Sequence, residues 1–152
     1  MTKHPRETKD SLKVIGIQMK TTNSNGQSGR DIAHFWEKFR KENIFEKIPN
    51  KKSQDVFALY TDYEGDYNHP YSYMIGSEVT SLEDIPAGMV GKIIPTADYT
   101  IIKAQGKFPE CLIQAWQNIW KSDLNRSYRF DFEVYNISDP NNADIDVYIG
   151  VK

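Results

Sequence analysis

Glu133 stands between Phe132 and Val134 in the run Tyr128-Arg129-Phe130-Asp131-Phe132-Glu133-Val134-Tyr135. Strand alternation puts Arg129, Asp131, Glu133 and Tyr135 on one face and Phe130, Phe132 and Val134 on the other. A carboxylate among aromatic side chains offers an organic cation two attractions, Coulombic pairing and the negative faces of the rings. The same spacing also fits a solvated acid or an internal ion pair with Arg129. If Glu133 is buried, its pKa rises, and a bound cation lowers it again. Cation binding then weakens as the pH falls through that value.

Two tryptophans occupy equivalent places in similar segments: Ile32-x-x-x-Trp36-x-x-Phe39 and Leu112-x-x-x-Trp116-x-x-Ile119. Each side chain fits either core packing or the wall of a groove. Trp120, one turn on, leans towards core. Tyrosines crowd one region at Tyr60, Tyr63, Tyr67, Tyr71 and Tyr73, and Tyr148 lies out of phase with Val147 and Ile149. Tyrosine suits both strands and adaptable pockets, being large, rigid and amphipathic. The candidate ligand-binding set is therefore Trp36, Tyr60, Tyr73, Trp116, Trp120, Glu133 and Tyr148, with Tyr63 and Tyr67 at the groove mouth or exposed. Other chemistries find less support. Asp62, Glu64 and Asp66 alternate along a turn, but Gly65 falls inside the triplet and no glutamate follows at the calcium-loop distance. His4, His34 and His69 are far apart, so no metal is expected. Cys111 falls in the first turn of a helix with no histidine near it in sequence. Phosphate-loop, dinucleotide and nucleophile-elbow patterns are absent, and no cofactor is expected.

The elements that must position these residues form a repeat. Val14–Met19 reads as a strand and Thr21–Gly29 as a loop. Gly29–Glu42 reads as a helix, with Ser28 and Asp31 spaced to cap its start. Strands are expected at Asp55–Thr61 and at Tyr71–Val79. Gly76 in the latter is placed to let a ligand or helix approach. After a short strand at Met89–Ile94 the pattern returns: a strand at Tyr99–Ala104, a helix entered through Pro109, then strands at Tyr128–Tyr135 and Ala143–Val151. The expected fold class is α+β. Duplicated strand-helix-strand-strand units with pseudo-twofold symmetry would form an antiparallel sheet, with two helices flanking a central groove. Residues 1–12 read as a flexible N-terminal arm. Residues 13–152 read as one domain, its halves at about 13–80 and 88–152.

The 152 residues suit a single domain, and 39% hydrophobic with 12% aromatic content excludes wholesale disorder. A net charge of -2 argues against direct binding of nucleic acid or docking on an anionic membrane. One cysteine, no apolar run of spanning length and a polar N-terminus lead to the expectation of a soluble cytoplasmic protein.

The segments Leu59-Tyr60-Thr61-Asp62-Tyr63-Glu64, Gly88-Met89-Val90, Ile94-Pro95-Thr96-Ala97-Asp98-Tyr99, Ala115-Trp116-Gln117-Asn118-Ile119-Trp120, Asp131-Phe132-Glu133-Val134-Tyr135 and Asp146-Val147-Tyr148-Ile149 resemble the gyrase-inhibitor-like (GyrI-like) family. This family is also the effector-binding domain of multidrug-sensing transcription regulators. The resemblance covers about Val14 to Lys152 and implies a duplicated strand-helix-strand-strand fold. It also implies a groove for amphipathic, often cationic and aromatic, small molecules. The acid of the family's Phe-Glu-x-Tyr pattern maps onto Glu133. The arm is too short for a helix-turn-helix, so a free-standing, sequestering or reporting form is expected. Two alternatives come with the resemblance. One is a hydrolase of strained electrophiles such as cyclopropane-containing genotoxins, with Glu133 and Tyr148 as catalytic residues. The other is a protein-interaction role such as topoisomerase inhibition, whose partner the sequence does not identify.

Overall fold

The computed structural model describes residues 6–23, 26–65, 69–135 and 140–152. Strands β1 (Arg6–Lys9) and β2 (Leu12–Thr21) precede helix α1 (Gln27–Lys41) and the one-turn α2 (Ile44–Lys47). Strands β3 (Val56–Thr61), β4 (Tyr71–Val79), β5 (Val90–Ile94) and β6 (Ala97–Gly106) follow. Helix α3 (Glu110–Lys121), β7 (Arg126–Tyr135) and β8 (Ala143–Val151) complete the chain, with a 3-10 turn at Pro140–Asn142. The eight strands among the described residues form one antiparallel sheet in the order β1-β6-β8-β7-β3-β4-β2-β5.

This order is symmetric about the β7–β3 junction. The unit β2-α1-β3-β4 answers β6-α3-β7-β8, as the repeat predicts. Each half also receives an outer strand from the chain preceding the other half: β1 pairs with β6, and β5 with β2. The expected frayed arm is thus corrected for Arg6–Lys9, which forms an edge strand. Its Arg6 and Thr8 side chains both hydrogen-bond Asp98.

Alternation gives every central strand two apolar faces, and the fold buries both. On one face, Phe35, Phe39, Trp116 and Ile119 of the helices cover Ile15, Ile17, Ala58, Tyr73, Ile75, Val147 and Ile149. On the other, Leu12, Val14, Phe57, Leu59, Met74, Ile94, Tyr99 and Phe132 pack on one another without a helix. The sheet curls to bury this second face. Lys92 on β5 consequently reaches Thr61 Oγ1 on β3 at 2.8 Å. Gly16 and Gly76 face each other across β2 and β4. A Cβ on Gly16 would lie 2.0 Å from the Ile75 carbonyl oxygen, and one on Gly76 would lie 2.1 Å from that of Ile15. The close approach that Gly76 permits is therefore that of the neighbouring strand rather than a ligand or helix.

Helix α1 starts differently from its expected cap. Gly26 is the N-cap, at a φ of 68° that glycine adopts without strain, and it has no side chain with which to cap the helix. Ser28 lies within the first turn, while Asp31 accepts hydrogen bonds from Thr21 Oγ1 and Gln27 Nε2. Pro109 is the N-cap of α3, one position before its expected place.

Candidate functional site

A cavity of about 830 Å³ opens between α1 and α3, with β3, β4 and β7 as its floor. Helix α1 contributes Ile32, Trp36 and Arg40, and α3 contributes Leu112, Ile113, Trp116 and Trp120. The strands contribute Val56, Tyr60, Tyr71, Tyr73, Arg126 and Tyr135. All three tryptophans of the chain are in this lining. The helical spacing explains the placement of two of them. Phe39 and Ile119 face the sheet, so Trp36 and Trp116, three residues earlier on the same stripe, reach the sheet beside the gap. Trp120 and Ile113 stand at the rim, 43% and 53% exposed.

The rings form a continuous wall. Tyr60 lies 5.0 Å from Trp116 and 5.1 Å from Tyr73 between centroids, and Trp36 lies 5.0 Å from Tyr135. The two equivalent tryptophans are anchored differently. Trp36 Nε1 donates to the Tyr73 hydroxyl at 2.8 Å, whereas Trp116 Nε1 donates to Glu133 Oε2 at 2.6 Å.

Glu133 is fully buried on β7 and faces the helices, on the side opposite Phe132. Besides Trp116, it accepts from the hydroxyls of Tyr60, at 2.9 Å to Oε2, and Tyr135, at 2.5 Å to Oε1. Its carboxylate lies directly behind three cavity-lining side chains and does not itself line the cavity. Burial raises its pKa above the ordinary 4.5, against the lowering effect of the three donors. Burial likewise pushes the hydroxyls of Tyr60, Tyr73 and Tyr135 well above 10, reinforced by the negative charge of Glu133. These hydroxyls therefore remain protonated, and those of Tyr60 and Tyr135 donate to Glu133.

A second buried acid adjoins the first. Asp131, two residues earlier on the same face, accepts from Arg126 Nη2 at 2.8 Å, from the backbone N–H of Gly150 at 2.8 Å, and from the hydroxyl of Tyr63. Arg129, considered above as a partner for Glu133, is exposed. The β7–β8 register shifts between Arg126 and Asp131, and Tyr128 adopts a φ of 53°. This irregularity turns Arg129 outward and Arg126 inward.

Of the candidate residues, Trp36, Tyr60, Tyr73, Trp116 and Trp120 line the cavity, and Glu133 backs it. Tyr148 is a correction. It lies on the opposite, helix-free face, stacked on Phe132 with centroids 4.6 Å apart. Val147 and Ile149 point to the helix side, so their out-of-phase neighbour must point away. Glu133 and Tyr148 therefore lie on opposite sides of the sheet and form no catalytic pair. Tyr63 lines the cavity rather than standing free, and Tyr67 falls outside the described residues. Sequence reasoning missed Tyr135, Tyr71 and Arg126 as lining residues. Tyr135 was within reach, because it shares the face of Glu133. Arg126 was not, because no pattern announces the strand irregularity. Asp62 pairs with Lys92 at 3.0 Å and Glu64 with Lys20, while Asp66 lies outside the described residues. No group of three metal-ligating side chains occurs among the described residues. Among the described residues, no helix is long and apolar enough to cross a membrane.

Comparisons with known proteins agree with this architecture. YobU of Bacillus subtilis (strain 168), whose name provisionally labels it a transcriptional regulator, is 26% identical over 151 residues, 94% of each chain. The structure of SAV2435 bound to tetraphenylphosphonium superposes with a TM-score of 0.82 at 20% identity, covering 99% of this chain and 94% of that one. The integron cassette protein VCH_CASS2 from Vibrio cholerae superposes with a TM-score of 0.73 at 23% identity, covering 97% and 95%. At these identities the two structures establish a shared fold. The Cass2 family model, described as integron-associated effector binding protein, matches residues 7–151, and the chain belongs to this effector-binding family.

Proposed function

We propose that the cavity binds small amphipathic aromatic molecules, with organic cations favoured, and that Glu133 supplies the charge preference. The observation that carries this reading is a fully buried carboxylate held by Tyr60, Trp116 and Tyr135, whose rings wall a cavity of about 830 Å³. A cation against these rings meets their negative faces and lies one side chain from the carboxylate. At a separation of ~6 Å and an effective dielectric of about 20, the Coulombic gain is roughly 3 kcal/mol, about a hundredfold in affinity before desolvation. Two cations share the lining: Arg40 at the rim is exposed, so water screens its charge, and Arg126 is offset by Asp131 at 2.8 Å. The tetraphenylphosphonium bound to SAV2435, which shares this fold, is an aromatic cation of the proposed kind.

Tetraphenylphosphonium and tetraphenylborate test the reading directly, because they match in size and shape and differ in the sign of their charge. Quenching of tryptophan fluorescence reports occupancy. The phosphonium should bind at least about tenfold more tightly than the borate, and Glu133→Gln should remove most of that difference. Equal affinities for the two ions in the native protein would rule out the charge preference.

A further inference from the structure

Arg126 offers the cavity a second pole that a purely cationic ligand leaves unused. Its side chain is 5% exposed and lines the cavity. Nη2 meets Asp131, and the guanidinium carbon lies 4.3 Å from the ring centre of Tyr128 and 5.8 Å from that of Trp116. Among the described residues, Nε and Nη1 are buried without a hydrogen-bond acceptor. Buried guanidinium N–H groups rarely go unpaired, because nothing replaces the water they have lost. The rings of Trp116 and Tyr128 flank the guanidinium and Asp131 takes one nitrogen, while the side chain belongs to the cavity lining, so a ligand in the cavity is the available partner once a small shift of the side chain uncovers these nitrogens. From the geometry we infer that a ligand oxygen, best a carboxylate, accepts hydrogen bonds from the unpaired N–H groups of Arg126.

This inference rests on the cavity reading above and narrows its ligand class. Asp131 and Glu133 are alternate residues of one strand, so the poles they anchor are about 7 Å apart along it. The Trp116 indole stands between them, its Nε1 on Glu133 and its ring beside Arg126. The fitting ligand is an amphoteric aromatic molecule. Its cationic part lies against Tyr60 and Tyr135, and its acceptor oxygen is at Arg126.

Tetramethylrhodamine and its methyl ester provide the test. The acid is a zwitterion and the ester a cation, on one aromatic frame. Fluorescence anisotropy should show the acid binding about tenfold or more tightly than the ester. Two variants remove the guanidinium without leaving a buried charge alone: Arg126→Lys, which keeps an ion pair with Asp131, and Arg126→Met combined with Asp131→Asn. In the double variant the acid-to-ester ratio should fall to near one, and in Arg126→Lys, whose ammonium still donates but lacks the planar fork, it should fall part of the way. An acid that binds the native protein no more tightly than the ester overturns the inference, as does a preference that survives undiminished in the double variant. Tetraphenylphosphonium binding, measured in parallel, separates the two readings. If the phosphonium binds and the acid shows no advantage, only the Arg126 subsite fails. If neither dye nor the phosphonium binds, the cavity reading fails and the subsite with it.

Discussion

Glu133 carries a pH dependence whose sign follows from its surroundings. Its pKa in the folded protein is raised above 4.5, so the neutral form is favoured on folding. The associated stability is complete below 4.5 and is lost as the pH rises through the folded value. Glu133→Gln should therefore gain stability relative to the native protein as the pH rises above 4.5, then hold a constant difference above the folded pKa. Each unit of separation is worth about 1.4 kcal/mol. Glutamine suits the comparison. Its carbonyl can accept from Trp116 and Tyr60, and its amide can donate to the Tyr135 hydroxyl. Urea denaturation of both proteins across the pH series gives the difference directly, and a flat difference would mean that the carboxyl titrates normally. A bound cation favours the ionised form, so its affinity should rise with pH over the same window, with release of a proton.

The strands and helices show what their patterns could and could not disclose. Alternation in β7 placed Glu133 and Tyr135 opposite Phe132, and helical spacing made Trp36 equivalent to Trp116; both hold in the structure. The same alternation set Tyr148 apart from Val147 and Ile149 but could not say which side faces the helices. A sheet that curls is apolar on both faces, and so the usual polar-out signal is missing. The arm escaped because Arg6–Lys9 is an edge strand of charged and polar residues, a composition that edges favour and that reads as solvated chain. The cap at Ser28 was overridden by Gly26, whose positive φ starts the helix two residues earlier than that spacing implied. The curl itself makes a prediction. Gly76→Ala would put a methyl 2.1 Å from the Ile15 carbonyl oxygen, so β2 and β4 must separate. The expected loss is about 3 kcal/mol or more, at the upper end for single substitutions. Gly29→Ala in α1 is the contrast, because a Cβ there meets nothing within 4 Å. It should add roughly 0.5–1 kcal/mol through helix propensity. Chemical denaturation of the two variants checks both signs, and a Gly76→Ala protein as stable as the native one would contradict the close approach of the strands.

At the scale of the whole molecule, the two halves are tied together in three ways. They pair along β3 and β7, they exchange outer strands, with β1 on β6 and β5 on β2, and they share the cavity lining. Neither half completes its part of the sheet alone, and neither walls the cavity alone. Unfolding should therefore be one cooperative transition, and a ligand in the cavity should displace that transition as a unit. Mass action sets the size of the effect. At a free concentration about 100 times its Kd, tetraphenylphosphonium should add about 2.7 kcal/mol. For a domain of about 150 residues, each kcal/mol raises Tm by roughly 2–4 °C, giving a shift of roughly 5–11 °C. At the same absolute concentration the shift should be smaller in Glu133→Gln, in proportion to the logarithm of the lost affinity. Calorimetry tests both parts. A second transition that stays put while the first moves would show that the halves unfold separately and that the ligand engages only one. An unchanged Tm at concentrations that saturate the fluorescence signal would mean that the phosphonium binds the unfolded chain as well as it binds the folded cavity.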